Sequence, residues 1–258
     1  MLQALGKLNR ASFWRKEVAA CGGRFRATTG DRLLYLWLHR LGLLGSNQSV
    51  VENQLRPGMA AADIGANVGV YTYLLSRCVG DTGTVYSFEP DPELFTSLES
   101  NCRRNNIKNT KLYNVALGSR DDTMRLERSW FNSGDNRVAA GPSRRAMTQA
   151  FVPVRPLDDV LEGRRLDFIK IDVQGSEYEV FKGMRRTLAH SSSVRIYFEF
   201  WPAGLRRAGC EPVELLAFLE QLGLGLYRIE GKRLTPFARN RLRSALKGRQ
   251  WTNLMAIR

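Results

Sequence analysis

The sequence predicts an open α/β domain: a seven-stranded, mostly parallel sheet with helices on both faces. Three observations point there. Five short runs rich in β-branched or aromatic residues alternate with amphipathic stretches of helical period, the pattern of parallel strands joined by crossover helices. Several of these runs end in acidic or glycine-bearing turns, at the strand ends where open α/β sheets bind their ligands. The chain closes on two further runs, 226–229 and 253–257, read as an antiparallel pair that completes the sheet.

The elements follow in order. Residues 60–64 form the first strand, approached through Arg56-Pro57-Gly58, whose Pro-Gly pair favours a type II turn. A helix over 70–78 puts Val70, Tyr73, Leu74 and Cys78 on one face, and Gly80 stops it. Residues 84–88 make the second strand. Pro92 suits the first turn of the next helix, which buries Leu94, Phe95, Leu98 and Cys102 and exposes Arg103 and Arg104. A third strand ends at 112–115.

From Gly118 to Leu161 the alternation breaks and no helix is expected, although 123–126 and 151–154 read as short paired strands. The polar span Trp130 to Gln149 between them is the candidate substrate lid. The pattern resumes with a fourth strand, 167–172, and a helix whose apolar face carries Val180, Phe181, Met184 and Leu188. A fifth strand, 194–200, and a helix near 212–222 complete it. Residues 46–258 are thus expected to form one domain with an insertion at about 118–161, preceded by a basic helical extension over 1–45.

The net charge of +14 is unevenly placed. Residues 1–45 carry eight Lys/Arg against two Asp/Glu, residues 231–258 carry eight against none, and the middle balances at 23 against 23. Such ends serve solubility, or they meet phosphate groups on an acidic membrane surface or a nucleic acid. No aromatic interleaving marks a nucleotide track. Leu2, Leu5 and Leu8 beside Lys7, Arg10, Arg15 and Lys16 are the segment that would lie on acidic lipid. No apolar run approaches the roughly 18 residues that span a bilayer, and the start lacks the uninterrupted apolar core of a secretory signal. A cytoplasmic protein is the expectation. Cys21, Cys78, Cys102 and Cys210 show no CxxC pairing and read as reduced thiols.

The chemistry lies at the strand ends. The first strand runs into Asp63-Ile64-Gly65-Ala66-Asn67-Val68-Gly69, with two glycines four positions apart where the dinucleotide fingerprint has three. A pyrophosphate wants free backbone amides. The amino-acid end of S-adenosylmethionine also wants an anionic partner for its ammonium, which Asp63 could supply directly or through water. Glu89 stands 20 residues beyond Gly69 at the second strand tip, where it can accept both ribose hydroxyls. Asn114 and Ala116, at the third strand end, are placed to flank the adenine. Asp63, Gly65, Ala66, Asn67, Gly69, Glu89, Asn114 and Ala116 make the expected cofactor set.

The fourth strand ends in Lys170-Ile171-Asp172-Val173-Gln174-Gly175-Ser176-Glu177. Methyl transfer to oxygen is an in-line displacement that requires a hydroxyl proton to leave, and a carboxylate can take it. Asp172 is the first candidate for that base, and Glu199 on the fifth strand tip is the second. Either could instead orient the cofactor. Neither His39 nor His190 falls at a crevice position. No cluster is spaced for a metal ion, so none is expected.

Taken in order, these blocks resemble the FkbM family of methyltransferases over roughly residues 45–202, and weakly beyond. The blocks are Arg56-Pro57-Gly58, the loop Asp63 to Gly69 with Tyr71-Thr72, Phe88-Glu89-Pro90, Asn114 to Gly118, Leu157-Asp158 and Lys170 to Glu177. The resemblance implies a Rossmann-like class I fold and S-adenosylmethionine as donor. It also implies, as acceptor, often a hydroxyl of a sugar, glycolipid or polyketide product. Asp63, Gly65, Asn67 and Gly69 match the cofactor loop, Glu89 the ribose acid and Asp172 the carboxylate after the strand. Gln174 departs from a position where the family frequently shows glutamate, and so stays outside the expected catalytic pair. The expected function is therefore an S-adenosylmethionine-dependent O-methyltransferase. The competing reading is an RNA methyltransferase whose basic ends contact phosphate. Against it, the fourth strand lacks an Asn-Pro-Pro-aromatic signature and a cysteine nucleophile.

Overall fold

The structure, a computed structural model, describes residues 18–26, 47–127, 137–139, 149–238 and 251–258. Its first half runs through a hairpin of Val18–Ala20 (β1) and Gly23–Phe25 (β2), then Gln48–Glu52 (α1), Ala60–Ile64 (β3), Val70–Val79 (α2), Thr84–Phe88 (β4), Pro92–Arg104 (α3) and Thr110–Tyr113 (β5). Ala116–Leu117 (β6), Asp122–Glu127 (β7), Arg137–Ala139 (β8), Gln149–Arg155 (β9) and Leu157–Val160 (α4) follow. The second half holds Phe168–Ile171 (β10), Glu177–Lys182 (α5), Arg185–His190 (α6), Arg195–Phe200 (β11), Pro202–Arg207 (α7), Pro212–Gln221 (α8), Gly225–Glu230 (β12), Arg233–Pro236 (β13) and Thr252–Ile257 (β14).

The central sheet has the order β13-β12-β14-β11-β10-β3-β4-β5. From β11 to β5 neighbouring strands are parallel, and β14, β12 and β13 close the other side antiparallel. Side chains alternate across the pleat, so each strand feeds two cores. Ile64, Phe88, Ile169, Ile171, Ile196 and Phe198 pack with residues of α5 to α8 on one face. Ala61, Val85, Phe168, Tyr197 and Met255 pack with Val50, Val51, Leu74, Leu75 and Val79 on the other. Chain order reverses between β3 and β10, which puts the ligand crevice beyond their carboxyl ends.

The fold class holds, with differences that have local causes. Eight strands rather than seven form the sheet among the described residues, because β12 turns back at Gly231-Lys232, with Glu230 opposite Arg233. Gly231 takes φ 61, the left-handed geometry a two-residue hairpin turn needs. The single helix expected around Val180 and Leu188 is two, α5 and α6, broken at Gly183. A Cβ on Gly183 would lie 1.9 Å from the Gly118 carbonyl oxygen, so the chain passes too closely there for a side chain. The span 118–161, expected to lack helix, contains the one-turn α4. The two expected short strands do pair, antiparallel with Met124 opposite Val152 and Arg125 opposite Phe151, within a second sheet of order β6-β9-β7-β8. Of the candidate lid, Arg137–Ala139 pair with β7 and the rest, apart from Gln149, lies outside the described residues. Among the described residues no helix is long and apolar enough to cross a membrane.

Within residues 1–45, expected to be helical, the described part is the β1–β2 hairpin; 1–17 and 27–45 lie outside the described residues. Two asparagines one helical turn apart, Asn101 on α3 and Asn105 at its C-terminal cap, act as a neighbouring strand would. Asn105 accepts from Arg24 N at 2.9 Å and donates to Arg24 O at 2.8 Å. Asn101 accepts from Arg26 N at 2.8 Å and donates to Arg26 O at 3.1 Å and to Val68 O at 2.8 Å. Phe25 completes the dock edge-on against Tyr73 of α2. Asn101 is buried, so its loss strands several polar backbone groups. Asn101→Ala is expected to lower unfolding free energy in a denaturant titration by about 2 kcal/mol, and Asn105→Ala, at the exposed end, by less than about 1 kcal/mol.

Candidate active site

Strands that end together turn the alternation of side chains into layers. In register, Ser87, Asp63, Lys170 and Tyr197 stand side by side on β4, β3, β10 and β11. All four are buried. Two residues further along the same strands come Glu89, Gly65, Asp172 and Glu199. The sheet thus carries a buried polar row and, above it, a row at the crevice mouth containing four residues expected from the sequence.

The buried row is tied together by Lys170. Its Nζ lies 3.3 Å from Asp63 Oδ1 and donates to Gly65 O at 2.8 Å. Asp172 Oδ2 is 3.9 Å away, and the Tyr71 ring centre 5.4 Å. Burial alone would lower the pKa of this ammonium, but Asp63, then Asp172 and Tyr71, raise it above its ordinary value. Thr72 of α2 donates to Asp63 Oδ2 at 2.7 Å. Tyr71 stacks on Tyr197, whose hydroxyl accepts from Asn47 at 3.0 Å. Asp63 exposes none of its surface, so the direct contact expected with a cofactor ammonium has no accessible oxygen in this structure. The carboxylate works one layer down instead. It fixes Lys170 and, through it, the Gly65 carbonyl.

The loop above has no free amide to offer. Gly65 N and Ala66 N donate to Phe88 O at 3.0 and 2.9 Å, and Gly69 N to Ala66 O at 2.9 Å. Asn67 N donates to Glu89 Oε2 at 2.7 Å, and Val68 N to Asn67 Oδ1 at 2.7 Å. A phosphate-binding loop keeps such groups open. Gly65 is glycine because β10 passes against it: a Cβ would lie 2.0 Å from Asp172 O. Gly69, at φ 93, would drive a Cβ to within 2.7 Å of Leu98.

Glu89 accepts from Asn67 N and, through Oε1, from Asp91 N at 2.9 Å. A carboxylate has about four acceptor positions, which leaves room for a diol. Asn114 braces this turn, donating to Glu89 O at 2.8 Å and Pro90 O at 3.1 Å. Ala116, expected to flank the adenine, is buried. It lies on β6, whose pairing with β9 turns the methyl into a cluster with Leu126, Val152 and Val154.

At the other tips, Asp172 and Glu199 converge on a residue left outside the expected set. Gln174 Nε2 donates to Asp172 Oδ1 at 2.8 Å and to Glu199 Oε2 at 3.2 Å. The two oxygens are therefore no more than about 6 Å apart, where unit charges repel by about 3 kcal/mol at an effective dielectric of about 20, before solvent screens the half-exposed Asp172. The signal in the sequence was an amide standing between two acidic strand tips. Glu177, also missed, is fully buried and folds the segment back by accepting from Val173 N at 3.3 Å and Gly175 N at 3.1 Å. Among the described residues no group of three or more His, Cys, Asp or Glu could hold a metal ion.

A family model described as the methyltransferase FkbM domain matches residues 63–224, from the first carboxylate of the loop to the turn before β12. The chain belongs to the FkbM methyltransferase family. Over 168 residues it is 25% identical to the hexuronic acid methyltransferase AglP of Haloferax volcanii, covering 63% of this chain and 62% of that protein. Over 142 residues it is 23% identical to Methyltransferase 1 of Beauveria bassiana, covering 47% and 57%. The chain thus spans about three fifths of the length of these curated relatives. A solved structure from Clostridium thermocellum, described as a candidate rRNA methylase, superposes with a TM-score of 0.51 at 10% identity over 83% of this chain and 96% of that one, a likeness of fold alone.

The FkbM domain has the class I fold, with S-adenosylmethionine as methyl donor. The residues present fit that donor: the closed amide loop is no phosphate nest, and Glu89 retains acceptor positions for a ribose. Burial pushes the Glu89 carboxyl up to about 7, against the lowering effect of the Asp91 and Asn67 N–H groups. Burial pushes Glu177 up to about 7 as well, and its Oε2 has no hydrogen-bond partner.

Two outcomes follow for this FkbM domain. Lys170→Met leaves Asp63 buried without its cation and is expected to cost about 3–5 kcal/mol in denaturant unfolding, with Asp63→Asn in the same chain recovering part of the loss. For Glu177 the folded pKa stands above the ordinary 4.5, so its contribution to stability is full below that value and is lost as pH rises to about 7. Glu177→Gln removes this loss. Stability of the variant relative to the native chain should rise between pH 5.5 and 8.5 by on the order of 2 kcal/mol.

Proposed function

We propose that the chain is an S-adenosylmethionine-dependent O-methyltransferase acting on a hydroxyl of a sugar, glycolipid or polyketide-type natural product. The observation that carries this reading is the Asp172–Gln174–Glu199 cluster on adjacent parallel strand tips, beside the cofactor loop. A hydroxyl becomes a competent nucleophile as its proton leaves, and a carboxylate within hydrogen-bond reach can accept it. When bound, S-adenosylmethionine supplies a methyl group made electrophilic by its sulfonium.

The chain's own residues do the rest. Glu89 would receive the ribose hydroxyls, and the loop from Gly65 to Gly69 would hold the amino-acid end. Asn114 keeps the Glu89 turn in place. Asp172, whose side chain is 42% exposed, would take the acceptor proton. Glu199 would orient the hydroxyl. The similarity to a hexuronic acid methyltransferase supports a saccharide acceptor.

The direct experiment supplies methyl-labelled S-adenosylmethionine with a panel of neutral glycosides, uronic-acid saccharides, polyketides and RNA. An alkali-stable methyl ether on a saccharide or polyketide supports the proposal. An alkali-labile methyl ester would move the acceptor from hydroxyl to carboxylate, and label in RNA would favour the nucleic-acid reading. With an acceptor in hand, Asp172→Asn is expected to lower kcat by about 10²–10⁴-fold while leaving cofactor affinity in calorimetry within about two-fold. Undiminished turnover removes Asp172 as the base. Glu89→Gln should instead weaken cofactor binding by about ten-fold, through the lost charge on its ribose acceptor.

A further inference from the structure

The acceptor side holds one residue whose side chain the turn around it does not require. Gln174 adopts φ 56, left-handed backbone that suits glycine and strains a long side chain. Its neighbours are fixed without it. Val173 N and Gly175 N both donate to Glu177, and Gly175 lies so close to Gly204 that a Cβ would come within 2.6 Å of that backbone. The turn alone would accept glycine at this φ. What glutamine adds is an uncharged nitrogen with two N–H groups, directed at Asp172 Oδ1 and Glu199 Oε2. Strain at a residue whose side chain joins two candidate reacting groups points to a role in the site.

We propose that Gln174 is the positioning residue of the acceptor site, its amide giving one hydrogen bond to Asp172 and one to Glu199 so that two mutually repelling carboxylates are held together as acceptors. The inference rests on the reading that these carboxylates receive the acceptor hydroxyl. A charged donor such as lysine would add a second ammonium to that of Lys170, already 3.9 Å from Asp172, and an apolar side chain would give neither carboxylate a hydrogen bond. The amide adds no charge and bonds to both. It also fills the space between the carboxylates, so a third carboxylate at this position would complete an oxygen cluster suited to a divalent cation.

Two variants of the full chain test this, one without any acceptor. Q174G removes the amide while relieving the backbone. It is expected to keep or raise the thermal midpoint and hold cofactor affinity within about two-fold, while lowering kcat by about ten-fold or more with the cofactor KM unchanged. A lower midpoint with unchanged kcat would mean that Gln174 serves the turn alone, and overturns the proposal. Q174E is read by electron paramagnetic resonance of added Mn²⁺. Affinity is expected to rise by about ten-fold or more over the native chain, and the gain to vanish when Glu199→Gln is added. No gain overturns the bridging geometry even if Asp172 is the base. A gain together with undiminished turnover in Asp172→Asn supports the bridge and overturns only the assignment of the base.

Discussion

A buried ammonium, Lys170, stands opposite Asp63 where the order of the sheet reverses, and the site is built outward from that pair. Withdrawing two charges from water costs several kcal/mol per ion, and a pair of this kind is offset only when its remaining polar valences are filled. Thr72 fills one of Asp63, and the Gly65 carbonyl fills one of Lys170. A leucine would occupy the same volume at less desolvation cost. It could not hold a carbonyl. The ammonium therefore does what apolar packing cannot: it joins β10 to the loop that leaves β3 and reaches upward toward Asp172.

The state of the loop follows from that anchor. With the Gly65 carbonyl turned down to Lys170, the amides of Gly65, Ala66 and Asn67 turn toward the end of β4 and meet Phe88 and Glu89. The Glu89 turn is itself braced by Asn114, just past the end of β5. From behind, Asn101 holds the Val68 carbonyl and, with the same amide, the first hairpin of the chain. Three separate elements thus set one short loop. Such a surface is preorganised for a ligand that needs a carboxylate and shape rather than a nest of open amides.

The acceptor side is organised on another principle, close backbone approach. Gly175 meets Gly204, and Gly183 meets Gly118, so the segment after β10 is wedged between α7 and the start of the second sheet. Glu177 then closes the turn from inside. These contacts position Asp172 and Gln174 on a rigid base while leaving their side chains at the crevice mouth. Rigid backbone beneath a partly exposed carboxylate is what proton transfer in a fixed geometry requires.

Much of this was legible in the chain. The short, mostly apolar runs 60–64, 84–88, 167–172 and 194–200 follow from burial of the sheet on both faces, and their ends put Glu89, Asp172 and Glu199 at strand tips. What such runs cannot supply is register, since which residue faces which across a ladder is decided by packing of the whole sheet. Register put Lys170 against Asp63, buried Asp63 completely, and turned Ala116 into the second sheet. It also brought Glu199 within reach of Gln174, a contact between residues 25 positions apart. The sequence by itself determined the strands, their polar tips and the kind of ligand such tips serve, because those depend on local pattern. Which tips touch, and through which bridging side chains, only the tertiary structure decided, because that depends on distances across the sheet that no local pattern encodes.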